Sequence, residues 1–157
     1  MGQLNFDQQG NLTPYDLIET DWDSFVETFG WNGHRQVLID SFSTFLSDLD
    51  KLPIRTFSVW LDGSFVTRKD LPNDLDAVFI IPSKEYELFE KELGILRSQF
   101  GNLDVYFVKL IEEGEPNRFL YISDCTEWMF QFTTTRVDRV TKRKFPKGFL
   151  QLKQNNE

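Results

Sequence analysis

The sequence predicts an α+β fold. Segments with helical spacing of apolar residues alternate along the chain with short segments that are apolar throughout or at every second position. Helical patterns fall at 21–30, 33–52 and 83–100, and strand patterns at 57–61, 75–81 and 103–108. With 157 residues, 40% of them hydrophobic and 27% charged, the chain is expected to form one domain (1–157) with a packed core rather than a disordered polymer.

Each element has a local reason. The first 12 residues, with Gly10 and three Gln, are polar and read as a loose N-terminal arm. Asp21 is an N-cap candidate for a short helix that Gly30 ends. From 33 to 52, Val37, Leu38, Phe42, Phe45, Leu46 and Leu49 recur at helical spacing, and Pro53 stops the run. The period then changes: Phe57, Val59 and Leu61 alternate with Thr56, Ser58 and Trp60 up to the turn Asp62-Gly63-Ser64. Leu75 to Ile81 is apolar except for Asp76, as suits a strand covered on both faces. Ser83 is an N-cap candidate for a helix carrying Tyr86, Phe89, Leu93, Leu96 and Phe100, which Gly101 closes. Leu103 to Val108 is a third strand, again apolar except for one acid, Asp104. Beyond Glu112 the pattern weakens, and 118–122, 127–132 and 148–152 read as short strands or a short helix.

Composition removes several classes of function. No apolar run approaches the roughly 20 residues that span a bilayer, and the start lacks the basic and apolar regions of a signal peptide, so the expected address is the cytoplasm, with no membrane partner. One cysteine, Cys125, and one histidine, His34, cannot build a disulfide framework or a Cys/His zinc site. A metal, if used, is a hard cation held by oxygen. The net charge of −8 is unevenly spread: residues 1–135 carry 10 Lys and Arg against 23 Asp and Glu, and residues 136–157 carry 7 against 2. A basic segment with Arg136, Arg139, Lys142, Arg143 and Lys144 therefore closes an acidic chain, and reads either as a surface for a phosphate-bearing ligand, nucleic acid or acidic partner or as a solvated face.

The chemistry concentrates between the first two strands and the third. The first strand ends at Gly63-Ser64, nine residues intervene, and the next begins Asp74-Leu75-Asp76. Residues two apart on a strand share a face, so Asp74 and Asp76 present adjacent carboxylates, a costly pairing unless a cation or a neighbouring Arg68 or Lys69 offsets it. If the third strand lies alongside, Asp104 joins them; otherwise it is an ordinary exposed strand residue. Three converging carboxylates are a usual protein contribution to a two-Mg²⁺ phosphoryl-transfer site. Gly63 lets a phosphate approach the backbone, and the Ser64 hydroxyl and nearby amides can donate to it, although Asp-Gly and Gly-Ser also make simple tight turns.

The motif Trp60-Leu61-Asp62-Gly63-Ser64-Phe65, then Asn73-Asp74-Leu75-Asp76, then Leu103-Asp104-Val105, resembles the nucleotidyltransferase superfamily, whose hallmark is a Gly-Gly or Gly-Ser turn, an Asp-x-Asp strand and a third acid on a later strand. More narrowly, Trp60 to Thr67 with Lys69 and Pro72 to Asp76 is similar to a family of small bacterial proteins of this fold. The spacing of Phe25, Phe29 and Arg35 and the closing Lys147-Gly148-Phe149-Leu150 extend that similarity over most of the chain. The resemblance implies a mixed β-sheet with helices packed against it and Mg²⁺-dependent transfer of a nucleoside monophosphate from an NTP, with ATP the expected donor and Mn²⁺ an alternative cation. It implies that Gly63 and Ser64 hold the triphosphate, that Asp74, Asp76 and Asp104 hold metal, and that Asp104 also helps deprotonate the acceptor hydroxyl. No separate helical domain for reading a substrate accompanies the motif, which leaves the acceptor, a protein or an RNA, open.

Lys69, between the turn and the acid pair, could touch a phosphate or stand in solvent as a loop lysine. His34 reads as structural or exposed, and Cys125 has no histidine to activate it. By analogy with small bacterial members of the superfamily, a toxin-antitoxin or phage-defence setting is expected. Two other readings stay open: a catalytically silent nucleotide-binding or partner-binding regulator of the same fold, and a nucleic-acid-binding module using the basic end with Phe145 and Phe149.

Overall fold

A computed structural model describes residues 3–54 and 58–153. Its elements run β1 (Asn5–Phe6), β2 (Leu12–Thr13), β3 (Leu17–Thr20), α1 (Trp22–Phe29), α2 (Gly33–Asp50), β4 (Ser58–Asp62), a 3-10 turn (Ser64–Val66), β5 (Leu75–Pro82), α3 (Ser83–Ser98), β6 (Leu103–Leu110), α4 (Arg118–Phe132) and β7 (Phe149–Leu152). The architecture is α+β: one mixed five-stranded sheet, order β3-β7-β4-β5-β6, and a small antiparallel pair, β1-β2. β7 pairs parallel with β3 and antiparallel with β4, which runs antiparallel to β5, and β5 is parallel to β6.

The sheet is covered on both faces. Leu61, Ala77, Phe79, Ile81, Val105 and Leu150 pack one face against Phe25 and Phe29 of α1, Leu38, Phe42, Phe45 and Leu49 of α2, and Leu93 and Leu96 of α3. The other face is smaller: Trp60, Val78, Ile80, Val108 and Phe149 pack under Phe132 and the partly buried Tyr121, Trp128 and Met129 of α4. Double coverage explains why β4 does not alternate: Trp60, expected on the polar side, is buried in the second cluster and its indole N–H donates to Gln151 Oε1 at 2.9 Å. Thr56 and Phe57, part of that expected alternation, lie outside the described residues.

The caps of α1 are as read: Asp21 accepts from the Ser24 amide, and the Gly30 amide donates to the Val26 carbonyl. Three expectations are corrected. The described part of the N-terminal arm, residues 3–12, is not loose, since Leu4 and Leu12 join the core and the Leu12 carbonyl accepts from the Gly148 amide at 2.8 Å. Val37 is 59% exposed: the buried stripe of α2 runs Arg35, Leu38, Ile39, Phe42, Phe45 and Leu49, and Val37 points away from it. Residues 118–132 form one continuous helix rather than short pieces, because Tyr121, Cys125, Trp128, Met129 and Phe132 fall on a single helical stripe that covers the sheet. A smaller difference concerns Ser83, which is the first residue of α3, with Pro82 in the cap position.

Candidate functional site

β-Sheet register sets the site. Asp62 lies opposite Asp76, and Asp76 opposite Asp104, so three acids form one row across β4, β5 and β6. Directly paired residues point to the same face; this row shares the α4 side with Trp60, Val78 and Val108, at the end of the sheet that α4 leaves open. Asp62 is neutralised: both its oxygens accept from Lys147 Nζ at 2.7 Å, with both residues buried. Burial pushes the Asp62 carboxyl up to about 6 against the lowering pull of Lys147.

The other acids of the row, and Asp74 just before β5, have no such cationic partner among the described residues. Asp74, Asp76 and Asp104 each offer one carboxylate oxygen, and these lie within 4.8 Å of one another. Among the described residues neither Asp74 nor Asp76 forms an ion pair, and Arg68 turns instead toward the rings of Phe6 and Trp31. Burial, then the charges of Asp74 and Asp104 and a hydrogen bond with Asp104, raise Asp76 to about 7. Asp74 is raised as well, by burial and by Asp104, with Arg136 and Lys69 pulling it down. Hard oxygen donors at this spacing, whose ionised forms repel one another, fit a divalent cation.

The Gly63-Ser64 turn folds over this row. Gly63 has φ +78°, and a Cβ there would stand 1.8 Å from Asp76 Oδ2. Only glycine lets the backbone cross the carboxylate so closely. Gly63→Ala is therefore expected to displace either the turn or Asp76 and to weaken divalent-cation binding by about 10–100-fold while the fold persists, as calorimetry and circular dichroism would report.

Beyond the turn, the loop 65–69 is held by a side chain that sequence reasoning did not place in the site. Arg35, fully buried, donates to the carbonyls of Phe29 (3.2 Å), Phe65 (2.7 Å), Thr67 (2.9 Å) and Lys69 (3.0 Å from Nε). Its guanidinium lies 3.7 Å from the centre of the Trp31 ring. Burial lowers its pKa to about 10, which leaves it charged at neutral pH. His34 is exposed, and its Nε2 meets the Pro72 carbonyl at 2.5 Å, farther along the same connection.

A cleft of about 910 Å³ gathers these parts: Gly63, Ser64, Lys69, Asp74, Asp76 and Asp104 all line it. Arg136 and Lys144 of the basic segment line it too, whereas Arg139, Lys142 and Arg143 stand outside on the adjoining turn. Two residues missed in the sequence complete the wall. Tyr106 donates its hydroxyl to Asp104 Oδ2 at 3.1 Å, and its ring packs 4.9 Å from that of Trp128 on α4. Cys125 lies away from the cleft with its thiol pushed up by burial, in keeping with an inert role.

Some of the missed residues left a trace. Arg35 falls on the apolar stripe of α2, and a charge on such a stripe requires partners. Asp62 closes a buried strand, where a carboxylate needs a cation, but nothing local identifies Lys147, 85 residues on.

Residues 4–153 match the family of unknown function DUF6932, and the chain belongs to that family. No curated protein and no solved structure matches it.

Proposed function

We propose that this protein is a Mg²⁺-dependent nucleotidyltransferase that moves a nucleoside monophosphate from an NTP, ATP in the first instance, to a hydroxyl of a protein or RNA. The observation that carries this reading is the convergence of Asp74, Asp76 and Asp104 within 4.8 Å beside the Gly63-Ser64 turn. Divalent cations, when bound, would neutralise these carboxylates and the triphosphate and align the attacking and leaving oxygens, as two-ion sites do at separations of ~3.5–4 Å.

The chain's own residues supply the rest. Gly63 leaves room for phosphate over the backbone, Ser64 offers a hydroxyl donor, and Lys69 and Arg136 bring positive charge to the mouth of the acid cluster. The acceptor oxygen forms a bond to the α-phosphorus, the bond from that phosphorus to the β-phosphate bridge breaks, and pyrophosphate leaves. The hydroxyl proton passes to the Asp104 carboxylate, which Tyr106 holds in place through its 3.1 Å hydrogen bond. The reading places the protein in the bacterial cytoplasm, in a toxin-antitoxin or phage-defence setting. Among the described residues no helix is long and apolar enough to cross a membrane.

Calorimetric titration of the purified protein with Mg²⁺, alone and with ATP, tests the metal step. A proton on Asp76, with its pKa near 7, competes with the cation. Affinity is therefore expected to fall about tenfold from about pH 8 to about pH 6, with proton release on binding. No Mg²⁺ binding at the higher pH, or an affinity indifferent to pH across that window, would contradict the reading.

A further inference from the structure

We infer that the acceptor is the end of a single RNA strand, drawn along the basic ridge at 136–144 and stacked against the aromatic wall of the cleft. This inference rests on the nucleotidyltransferase reading for its chemistry, and on separate observations for its ligand.

The ridge is a built structure. Thr134 and Pro146 bridge its base, the Thr135 amide donates to the Phe145 carbonyl at 2.8 Å, and the Asp138 amide donates to the Arg143 carbonyl at 2.8 Å. Its one acid, Asp138, is spent inside the turn, accepting from the amides of Val140 (2.8 Å) and Thr141 (2.7 Å). Arg136, Arg139, Lys142, Arg143 and Lys144 are all exposed, and none forms an ion pair with a described carboxylate. Five unpaired cations on an ordered turn, on a chain of net charge −8, are complementary to a polyanion.

Two further features select a nucleic-acid strand over an acidic protein surface. The ridge enters the cleft, where Arg136 and Lys144 line the wall near the acid cluster, so a phosphate chain lying on it leads to Asp104. The same cleft is lined by Tyr106, Trp128 and Phe130, of which Trp128 is partly buried, Tyr106 is 39% exposed and Phe130 is 70% exposed. A cationic track beside exposed aromatic rings is how proteins hold single strands: phosphates meet the cations and unstacked bases meet the rings. A duplex keeps its bases stacked and cannot use those rings. The terminal hydroxyl of such a strand is the attacking group of the transfer described above.

The test is fluorescence anisotropy with the full chain and a labelled single-stranded RNA of about 20 nucleotides, in varied salt and without divalent cation. With four or five phosphates engaged, the logarithm of affinity should fall with the logarithm of salt with a slope of about −3. Arg139→Gln, Lys142→Gln and Arg143→Gln together, all outside the cleft, should reduce that slope by about 2 and weaken binding at least tenfold at ~50 mM salt. Phe130→Ala should weaken binding about tenfold with the slope unchanged. No binding at ~50 mM salt, an unaltered slope in the triple variant, or equal affinity for a duplex would overturn the inference. An acceptor labelled on protein alone would overturn it too. The Asp74→Ala/Asp76→Ala variant should keep RNA binding. Strand binding without Mg²⁺ binding would therefore sink the transferase reading alone, and Mg²⁺ and ATP binding without strand binding would sink this inference alone.

Discussion

An Asp76→Asn variant is expected to lose transfer activity by about a thousandfold or more, and yet to melt at a higher temperature than the parent protein at about pH 8 without divalent cation. Asp76 sits in the middle of the acid row, opposite both Asp62 and Asp104, so the substitution replaces its anionic oxygen with a neutral amide oxygen that binds a divalent cation far more weakly. The loss of several kcal/mol of charge stabilisation in the transition state corresponds to that rate. The stability gain follows from the raised pKa. The folded protein prefers the protonated Asp76, with its pKa near 7 against 3.8 in the unfolded chain. Stability from that preference is complete below the unfolded value and is lost as pH rises through the interval up to about 7. Asn carries no charge to repel, so the variant escapes the loss. Partial exposure of Asp76 screens the effect, and a rise in Tm of about 3 °C is expected. A residue kept only for structure would give the reverse, lower Tm with little effect on transfer. Differential scanning fluorimetry across pH, beside an activity assay, separates the two.

Arg35→Met should be the most damaging single change to stability. It leaves the buried carbonyls of Phe29 and Phe65 and the part-buried ones of Thr67 and Lys69 without their donor, and removes the cation from the Trp31 ring. The expected cost is about 3–5 kcal/mol, as for breaking a buried charged network. Tm should fall by about 10 °C. The same carbonyls fix the loop from the Gly63-Ser64 turn to Lys69, so the surviving folded fraction should also bind ATP more weakly. Urea denaturation would measure the first effect and calorimetry the second.

Much of the fold was legible because local chemistry and burial agree. Asp21 and Gly30 close α1 by hydrogen bonds that their residue types favour. β5 is apolar on both sides because both sides are covered. The acid pair at Asp74 and Asp76 stood out for the same reason: charge is rare in such a strand.

What sequence spacing could not supply was long-range pairing. The N-terminal arm reads as polar, yet the few apolar side chains it has, Leu4 and Leu12, are buried. α4 hid because Phe119, Ile122 and Phe130 are exposed, at 66%, 53% and 70%, outside the stripe that packs on the sheet. Apolar residues on both sides flatten the periodicity. Asp104 depended on strand order, and only the parallel register of β5 with β6 brings it to Asp76. Lys147 belongs to the site through a contact 85 residues long, whereas Tyr106, two residues beyond Asp104 on the same strand face, was within reach of the period-2 alternation.

The central claim, transfer of a nucleoside monophosphate from the acid cluster, is tested most directly by incubating the purified protein with each α-³²P-labelled NTP and Mg²⁺ in bacterial lysate, beside the Asp74→Ala/Asp76→Ala variant. Label that enters protein or RNA with the parent chain and disappears with the variant is the expected result. No label from any NTP with a folded parent protein, or label that persists in the variant, would contradict it.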